Sequence, residues 1–397
     1  MRRPGGRRLA GALGALLIVA AVAVVAVVLA TRSTPRRRSR SGQPPATLSP
    51  ALPAPAAQVF GVNVNLLFND FSYTPAQISA QLAAVRLTGA TVARSDALWE
   101  ATEPHAPVGG RHTDNWAFDD LIAGSLAAHG LTWLPILDYS APWAQSIPGQ
   151  DHSPPRSDAD YAAYAGAFAA RYGDGGTFWR LHPALTPEPV TAIEIWNEPD
   201  NPEFWVPHPD AAGYAALYLA AREAIDAADP AIRVLVGGLT APAAFLPQML
   251  AAQPLLRGHI DGVAIHPYGG PGLVLDRVRA ARAALVSLGL ATVPLYVTEF
   301  GWTTHPPGAL DYVPAARRPD DILGTLADLG HLRCGLAATL LYTWLSPGGD
   351  RSDSQDWYGI ADPTDPARTT PDVQAFAEGL RAAVAPASGT VPAPCPG

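Results

Sequence analysis

Between Val59 and about Ala385 one unit recurs eight times: a short apolar, β-branched run, a polar loop, then an Ala/Leu-rich segment at helical spacing. The runs are VFGVNVN from Val59, TVARSDALW from Thr91, LTWLPILDY from Leu131, VTAIEIWNE from Val190, RVLVGGL from Arg233, IDGVAIHPY from Ile260, PLYVTEFGW from Pro294 and GLAATLLYTWL from Gly335. Strict strand-helix alternation implies parallel strands with right-handed crossovers, and eight such units close into a (β/α)8 TIM barrel. An open doubly wound sheet would need a glycine-rich phosphate turn after its first strand, where this chain runs into LLFNDFS. Helix signals agree with the alternation: in TPAQISAQLAAVRLTGA, Thr74 can cap the start and Pro75 suits the first turn.

The 397 residues exceed the roughly 250 of a minimal barrel, so the surplus lies in flanking segments. Residues 1–8 are basic. Residues 9–31, LAGALGALLIVAAVAVVAVVLAT, form an uncharged run long enough to cross a bilayer as a signal anchor, with a cleaved signal peptide as the alternative. Residues 32–57 form a Pro/Arg/Ser-rich linker, residues 58–386 the single barrel domain, and residues 387–397 a Pro-rich tail. Arginines flank both sides of the apolar run, so charge alone does not orient it. The net charge of -8 argues against nucleic acid as a partner. Each barrel strand starts at the face to which the preceding helix returns. Cys334, at the start of the eighth strand, and Cys395, after the last helix, can therefore meet in a disulfide.

Barrel enzymes gather their chemistry at the C-terminal ends of the strands. There the sequence places Arg94 and Asp96, Asp138, Asn197 and Glu198, His266 and Tyr268, Glu299, and Trp344. Alternation along the fourth strand points Glu194, Trp196 and Glu198 into the lumen, with Glu194 deep and Glu198 at the rim. Glu198 and Glu299 then face each other from strands on opposite sides. Acetal cleavage needs such a pair, one carboxyl to protonate the leaving oxygen and one to meet the cationic carbon, and Arg94 and Tyr268 are placed to keep Glu299 charged. Seven of ten tryptophans, Trp143, Trp302 and Trp344 among them, fall at the same end, where indole faces suit sugar rings.

Each residue also has a bland reading. A strand-end glutamate alone is usually a solvated rim charge, Glu194 a buried strut, Asp200 a loop charge or helix cap, and His266 a core histidine. Arg94 could serve only as counter-ion to Asp96 or Glu194. A metal-dependent barrel hydrolase would want an H-x-H pair where the first strand has Asn63 and Asn65, so no metal and no cofactor is expected. A surface carbohydrate-binding protein on the same barrel is the alternative from another class.

WNEP at Trp196–Pro199 and VTEFGW at Val297–Trp302 resemble the strand 4 and strand 7 motifs of clan A glycoside hydrolases, most of all family 39 and bacterial relatives that cut exopolysaccharides. The resemblance implies a retaining glycosidase with Glu198 as acid/base and Glu299 as nucleophile. It further implies Asn197 bonding the hydroxyl beside the reacting carbon, Arg94 and Tyr268 holding the nucleophile, and His266 and Trp344 lining the reacting-sugar subsite. Trp302, Trp143 and Asp138 complete the expected substrate-binding set. The expected partner is a carbohydrate, and because glycans lie outside the cell the barrel is expected to face outward with the first arginines in the cytoplasm. The expected location is the cell membrane with the barrel outside, or a secreted form, and a monomer is favoured.

Overall fold

The computed structural model describes residues 49–69, 72–386 and 395. The basic N-terminus, the apolar run 9–31, the linker up to residue 48 and all of the tail but Cys395 lie outside the described residues. Among the described residues no helix is long and apolar enough to cross a membrane.

Eight parallel strands close into a barrel in sequence order: β1 Val59–Asn63, β2 Val92–Leu98, β3 Thr132–Asp138, β4 Ala192–Ile195, β5 Arg233–Leu239, β6 Gly262–Ile265, β7 Leu295–Val297 and β8 Leu336–Leu341. All eight fall inside the runs read from the sequence. An outer helix follows each: α1 Pro75–Leu87, α2 Ala117–Ala127, α3 Asp158–Tyr172, α4 Ala211–Ala228, α5 Pro242–Ala252, α6 Pro271–Ser287, α7 Arg318–His331 and α8 Pro371–Val384. At α1 the expected cap forms as a capping box. The Gln77 amide donates to Thr74 Oγ1 at 3.3 Å, and the Thr74 amide donates to Gln77 Oε1 at 2.9 Å.

The strand phase sorts the lumen into layers. On β2, Val92, Arg94 and Asp96 share the inner face. On β3 that face carries Leu134, Ile136 and Asp138, with Arg94 in register with Leu134 and Asp96 with Ile136. Val92, Leu134, Ala192, Leu235, Tyr296 and Leu340 close the floor as a small apolar cluster, and Arg94 and Asp96 stand above it towards the mouth. A much larger apolar shell lies between strands and helices. Helix tyrosines tie that shell to the strand ends: the hydroxyls of Tyr161, Tyr164 and Tyr214 donate to the carbonyls of Leu137, Ala97 and Ile195 at 2.5, 2.8 and 2.8 Å.

Residues 49–52, expected as part of an extended spacer, are pinned beneath the barrel. The Ala51 amide donates to the Gly258 carbonyl at 2.8 Å, the Leu52 amide to Asp261 Oδ1 at 2.7 Å and Arg222 Nη2 to the Ser49 carbonyl at 3.2 Å. Composition suggested a free chain, but these backbone groups find partners on the strand 6 entry. Cys334 and Cys395 form a disulfide with their Cα atoms 5.1 Å apart, as their positions in the barrel allowed.

Candidate active site

Above the apolar floor sits Arg94, fully buried on β2. Its Nε and Nη2 donate to the two oxygens of Glu194 at 2.9 and 3.2 Å, its Nη1 to Asn63 Oδ1 at 2.8 Å and to Glu299 Oε1 at 2.5 Å, and its Nη2 also to Asn197 Oδ1 at 3.2 Å. Of the two counter-ion readings, Arg94 pairs with Glu194, the strut below, while Asp96 is bonded instead by Asn65 and Asn69; Arg94 also presents Glu299 upward. A buried carboxylate needs such pairing, because desolvation of the charge is otherwise prohibitive.

Glu299 follows the end of β7 and is 8% exposed. Tyr268 donates its hydroxyl to Glu299 Oε2 at 2.6 Å. Burial by itself would raise the carboxyl pKa. The charges of His266 and Arg94 and the hydrogen bonds from Tyr268 and Arg94 outweigh that, so the group is held below its ordinary value. Tyr268, pushed well up by burial and by the neighbouring Glu299 charge, stays protonated and keeps donating.

Glu198 is reached differently from the way strand alternation suggested. β4 stops at Ile195, and both Trp196 (φ 64°) and Glu198 (φ 45°) take left-handed backbone conformations, uncommon for residues with a Cβ. Trp196 consequently turns out of the lumen and packs against Tyr139, Tyr161 and Trp205, which corrects its expected inward phase. Two glycines on β5 make the turn possible. A Cβ on Gly237 would sit 2.1 Å from the Trp196 carbonyl oxygen, and one on Gly238 only 2.0 Å from His266 Nε2. Glu198 itself is 6% exposed. His266 Nδ1 lies 2.7 Å from its Oε1, and Asn201 Nδ2 donates to its Oε2 at 2.6 Å. His266 Nε2 lies 3.1 Å from Thr298 Oγ1. Burial opposes charge on His266, but the Glu299 charge and the Glu198 bond outweigh it and raise its pKa.

One oxygen of each glutamate and a ring nitrogen of His266 lie within 4.8 Å of one another, at the base of a cavity of about 730 Å³. That spacing could in principle serve a metal ion. Here, however, Arg94 already occupies one oxygen of Glu299 and lies 3.5 Å from His266 Nε2, so a fixed positive charge opposes a cation at this point.

Not every expected residue reaches the cavity. Glu198, Glu299, Asn197, His266 and Tyr268 line it, and Arg94 supports it from below. The tryptophans do not. Trp344 is buried behind the barrel wall with its indole N–H on Gln81 Oε1 at 2.8 Å, and Trp302 is buried with its N–H on the Gly269 carbonyl at 2.8 Å. Trp143 donates to the Glu103 carbonyl at 2.8 Å and meets Trp99 edge-on. Their large apolar area and single donor are used to brace loops. The cavity's aromatic walls are instead Tyr139 and Phe204 on one side and Tyr268, Tyr342 and Tyr358 on the other. Tyr139, Tyr268 and Tyr342 follow β3, β6 and β8 closely, a signal legible in LDY, HPY and LLY. Asp138 is buried beside the cavity, and Asp200 caps the entry to α5 by accepting from the Thr240 and Ala241 amides at 3.1 and 2.6 Å. Asn201 and Gly238 were missed, since neither carries a motif signature.

No protein-family model matches the sequence, and no curated protein does. Among solved structures, a family 39 glycoside hydrolase from Bacteroides cellulosilyticus WH2 superposes with TM-score 0.59 at 17% identity, over 81% of this chain and 63% of that one. The chain thus spans less than two thirds of that enzyme. A monomeric β-xylosidase from Caulobacter crescentus CB15 gives TM-score 0.61 at 20% identity, over 83% and 69%. A GH5_18 enzyme from Bifidobacterium longum, in complex with Manβ1-4GlcNAc, gives 0.61 at 13%, over 83% and 79%. In fold, the chain shares the eight-stranded parallel barrel of these family 39 and family 5 glycoside hydrolases of clan A.

Proposed function

We propose that the protein is a retaining glycoside hydrolase acting on a poly- or oligosaccharide outside the cell. The observation that carries this reading is the facing pair Glu198 and Glu299, each held by its own partners, within 4.8 Å in one cavity. An inverting enzyme leaves about 6.5–9.5 Å between its carboxyls to admit a water, whereas a retaining pair stands about 5–5.5 Å apart. In the first step a Glu299 oxygen attacks the anomeric carbon. The glycosidic C–O bond breaks, its electron pair goes to the leaving oxygen, and Glu198 supplies the proton. In the second step water attacks the same carbon and passes a proton to Glu198, and Glu299 leaves as a carboxylate. Arg94 and Tyr268 favour the charged nucleophile, and His266 and Asn201 fix the direction of the acid. Asn197, anchored by Arg94, is offered to the hydroxyl beside the reacting carbon. The aromatic walls supply faces for sugar rings.

Residues 9–31 are proposed as the tether that holds this barrel at the cell membrane, facing outward; protease accessibility on intact cells tests that placement. For the activity, a screen of cell-wall and exopolysaccharides with Glu299→Gln as control is the test. Turnover should fall by at least about a thousandfold in the variant, since covalent catalysis is removed while binding is kept. Full activity in Glu299→Gln would refute the mechanism, and glycan binding without turnover by the native protein would favour a binding role.

A further inference from the structure

In the reaction just described the two pieces of the substrate part company at different glutamates. The retained sugar is carried on Glu299, and the departing piece hangs from the oxygen that Glu198 protonates. The surroundings of the two glutamates differ in kind. Glu299 meets Tyr268, whose ring is edge-on to Tyr342 as Tyr342 is to Tyr358, with 81° and 74° between the planes. Rings so turned offer edges and hydroxyls, not one flat face. Around Glu198 the chain supplies something else. Asn201 bonds Glu198 at 2.6 Å, and the Asn201 carbonyl accepts from the Phe204 amide at 3.1 Å. Phe204 and Tyr139 both line the cavity, with their rings within 11° of parallel and their centres 6.2 Å apart.

This pair is held in place by its neighbours. The His152 ring packs on both, with centres 4.2 Å from Tyr139 and 5.2 Å from Phe204, and its Nδ1 lies 2.7 Å from the Glu203 carbonyl. The Phe204 carbonyl accepts from Trp196 Nε1 at 2.6 Å, and the Val206 amide donates to the His152 carbonyl at 3.2 Å. The loops after β3 and β4 are thereby fastened to each other. Phe204 is set before any ligand arrives, and little ordering cost remains for binding. It is nonetheless only half-buried, so apolar ring surface is left for a ligand to cover. A cavity of about 730 Å³ also falls in the range that encloses a ligand larger than one sugar ring.

We infer that Phe204, with Tyr139 beside it, is the platform on which the departing sugar stacks. The substrate is then a glycan whose leaving group is itself a sugar, not the glycoside of a small alcohol. This inference rests on the glycosidase reading. The test is steady-state kinetics of the full-length protein on xylobiose, cellobiose, galactobiose and mannobiose, all β-1,4-linked, each beside the methyl β-glycoside of its own sugar. A methyl glycoside needs the same proton from Glu198 but brings no second ring. The native protein should favour a disaccharide over its methyl glycoside by about tenfold or more in kcat/KM, the worth of roughly 55 Å² of apolar surface taken out of water. Phe204→Ala should bring that ratio down towards unity, with Phe204→Leu as a second variant if the first does not fold, and Phe204→Tyr should keep it. A ratio that survives in Phe204→Ala overturns the inference, whether both rates hold or both fall, since a displaced Glu198 would slow the two substrates alike. A native protein with no preference for any disaccharide overturns it as well. The two readings fail separately. Turnover of methyl glycosides, or of a polysaccharide in the glycan screen, with no disaccharide preference keeps the glycosidase and removes the platform, whereas no turnover in either experiment removes both.

Discussion

Arg94 has five N–H groups and directs hydrogen bonds to Glu194, Asn63, Glu299 and Asn197. No other side chain could do this, because only a guanidinium presents a rigid planar fork of donors that is charged at every working pH. Lysine would keep the charge but lose the bridge between the strut and the nucleophile. Arg94→Lys is therefore expected to lower kcat/KM by about a hundredfold or more, comparable to loss of one preorganised electrostatic contact. The pH profile gives the sharper readout. Glu299 must be ionised to attack, and its pKa is held below 4.5, so the acid limb of kcat/KM should lie below pH 4.5 in the native enzyme. In Arg94→Lys the limb should move up, and a limb that stayed in place would show that Arg94 does not act through Glu299. The pairing of Glu198 with Glu299 was legible because strand ends and residue type suffice to find it. The tryptophans misled for a physical reason: position at the mouth says nothing of whether a ring faces the cavity or the loop behind it. The indole N–H bonds of Trp302 and Trp344 decided that.

At the scale of elements, β5 contributes to the site by what it lacks. Gly237 and Gly238 leave space for the turned Trp196 carbonyl and for the His266 ring, and the Gly238 amide donates to Glu194 Oε1 at 2.6 Å. β5 ends in Gly237, Gly238 and Leu239 with no functional side chain, and a missing Cβ leaves no mark in residue chemistry, so its part in the site was not legible. Gly238→Ala should displace His266 and with it Glu198, costing about a hundredfold in kcat for a shift near 1 Å. Steady-state kinetics beside a circular dichroism spectrum of the folded protein would check this. A second prediction belongs to α2. Asp119 in its first turn is fully buried, accepts from Thr102 Oγ1 at 2.6 Å and has no partner on Oδ1. Burial raises its pKa to about 7. The folded state thus holds this proton more tightly than the unfolded state. The stability it contributes is complete below pH 3.8 and is lost as pH rises through about 7. Asp119→Asn should flatten the fall of Tm between those values and raise Tm at pH 8, and an unchanged Tm profile would contradict the assignment.

For the whole molecule, chemistry and fastening occupy opposite ends of the barrel. The mouth holds the carboxylates, while the disulfide and the pinned segment 49–52 close the floor. The Cys334–Cys395 bridge spans 61 residues, worth about 4 kcal/mol in the chain-entropy account. Cys395→Ser should lower Tm markedly in thermal melts and leave kcat at low temperature unchanged. The eight-unit barrel was legible throughout because its period is written in every segment. The floor contacts were not, because Ser49, Ala51 and Leu52 bind through backbone groups that any sequence carries. The most direct test of the account is the anomeric configuration of the first product, followed by proton NMR on whichever glycan the screen identifies. Double displacement through Glu299 predicts that the newly formed reducing end keeps the configuration of the bond that was cut, and an inverted first product would contradict it.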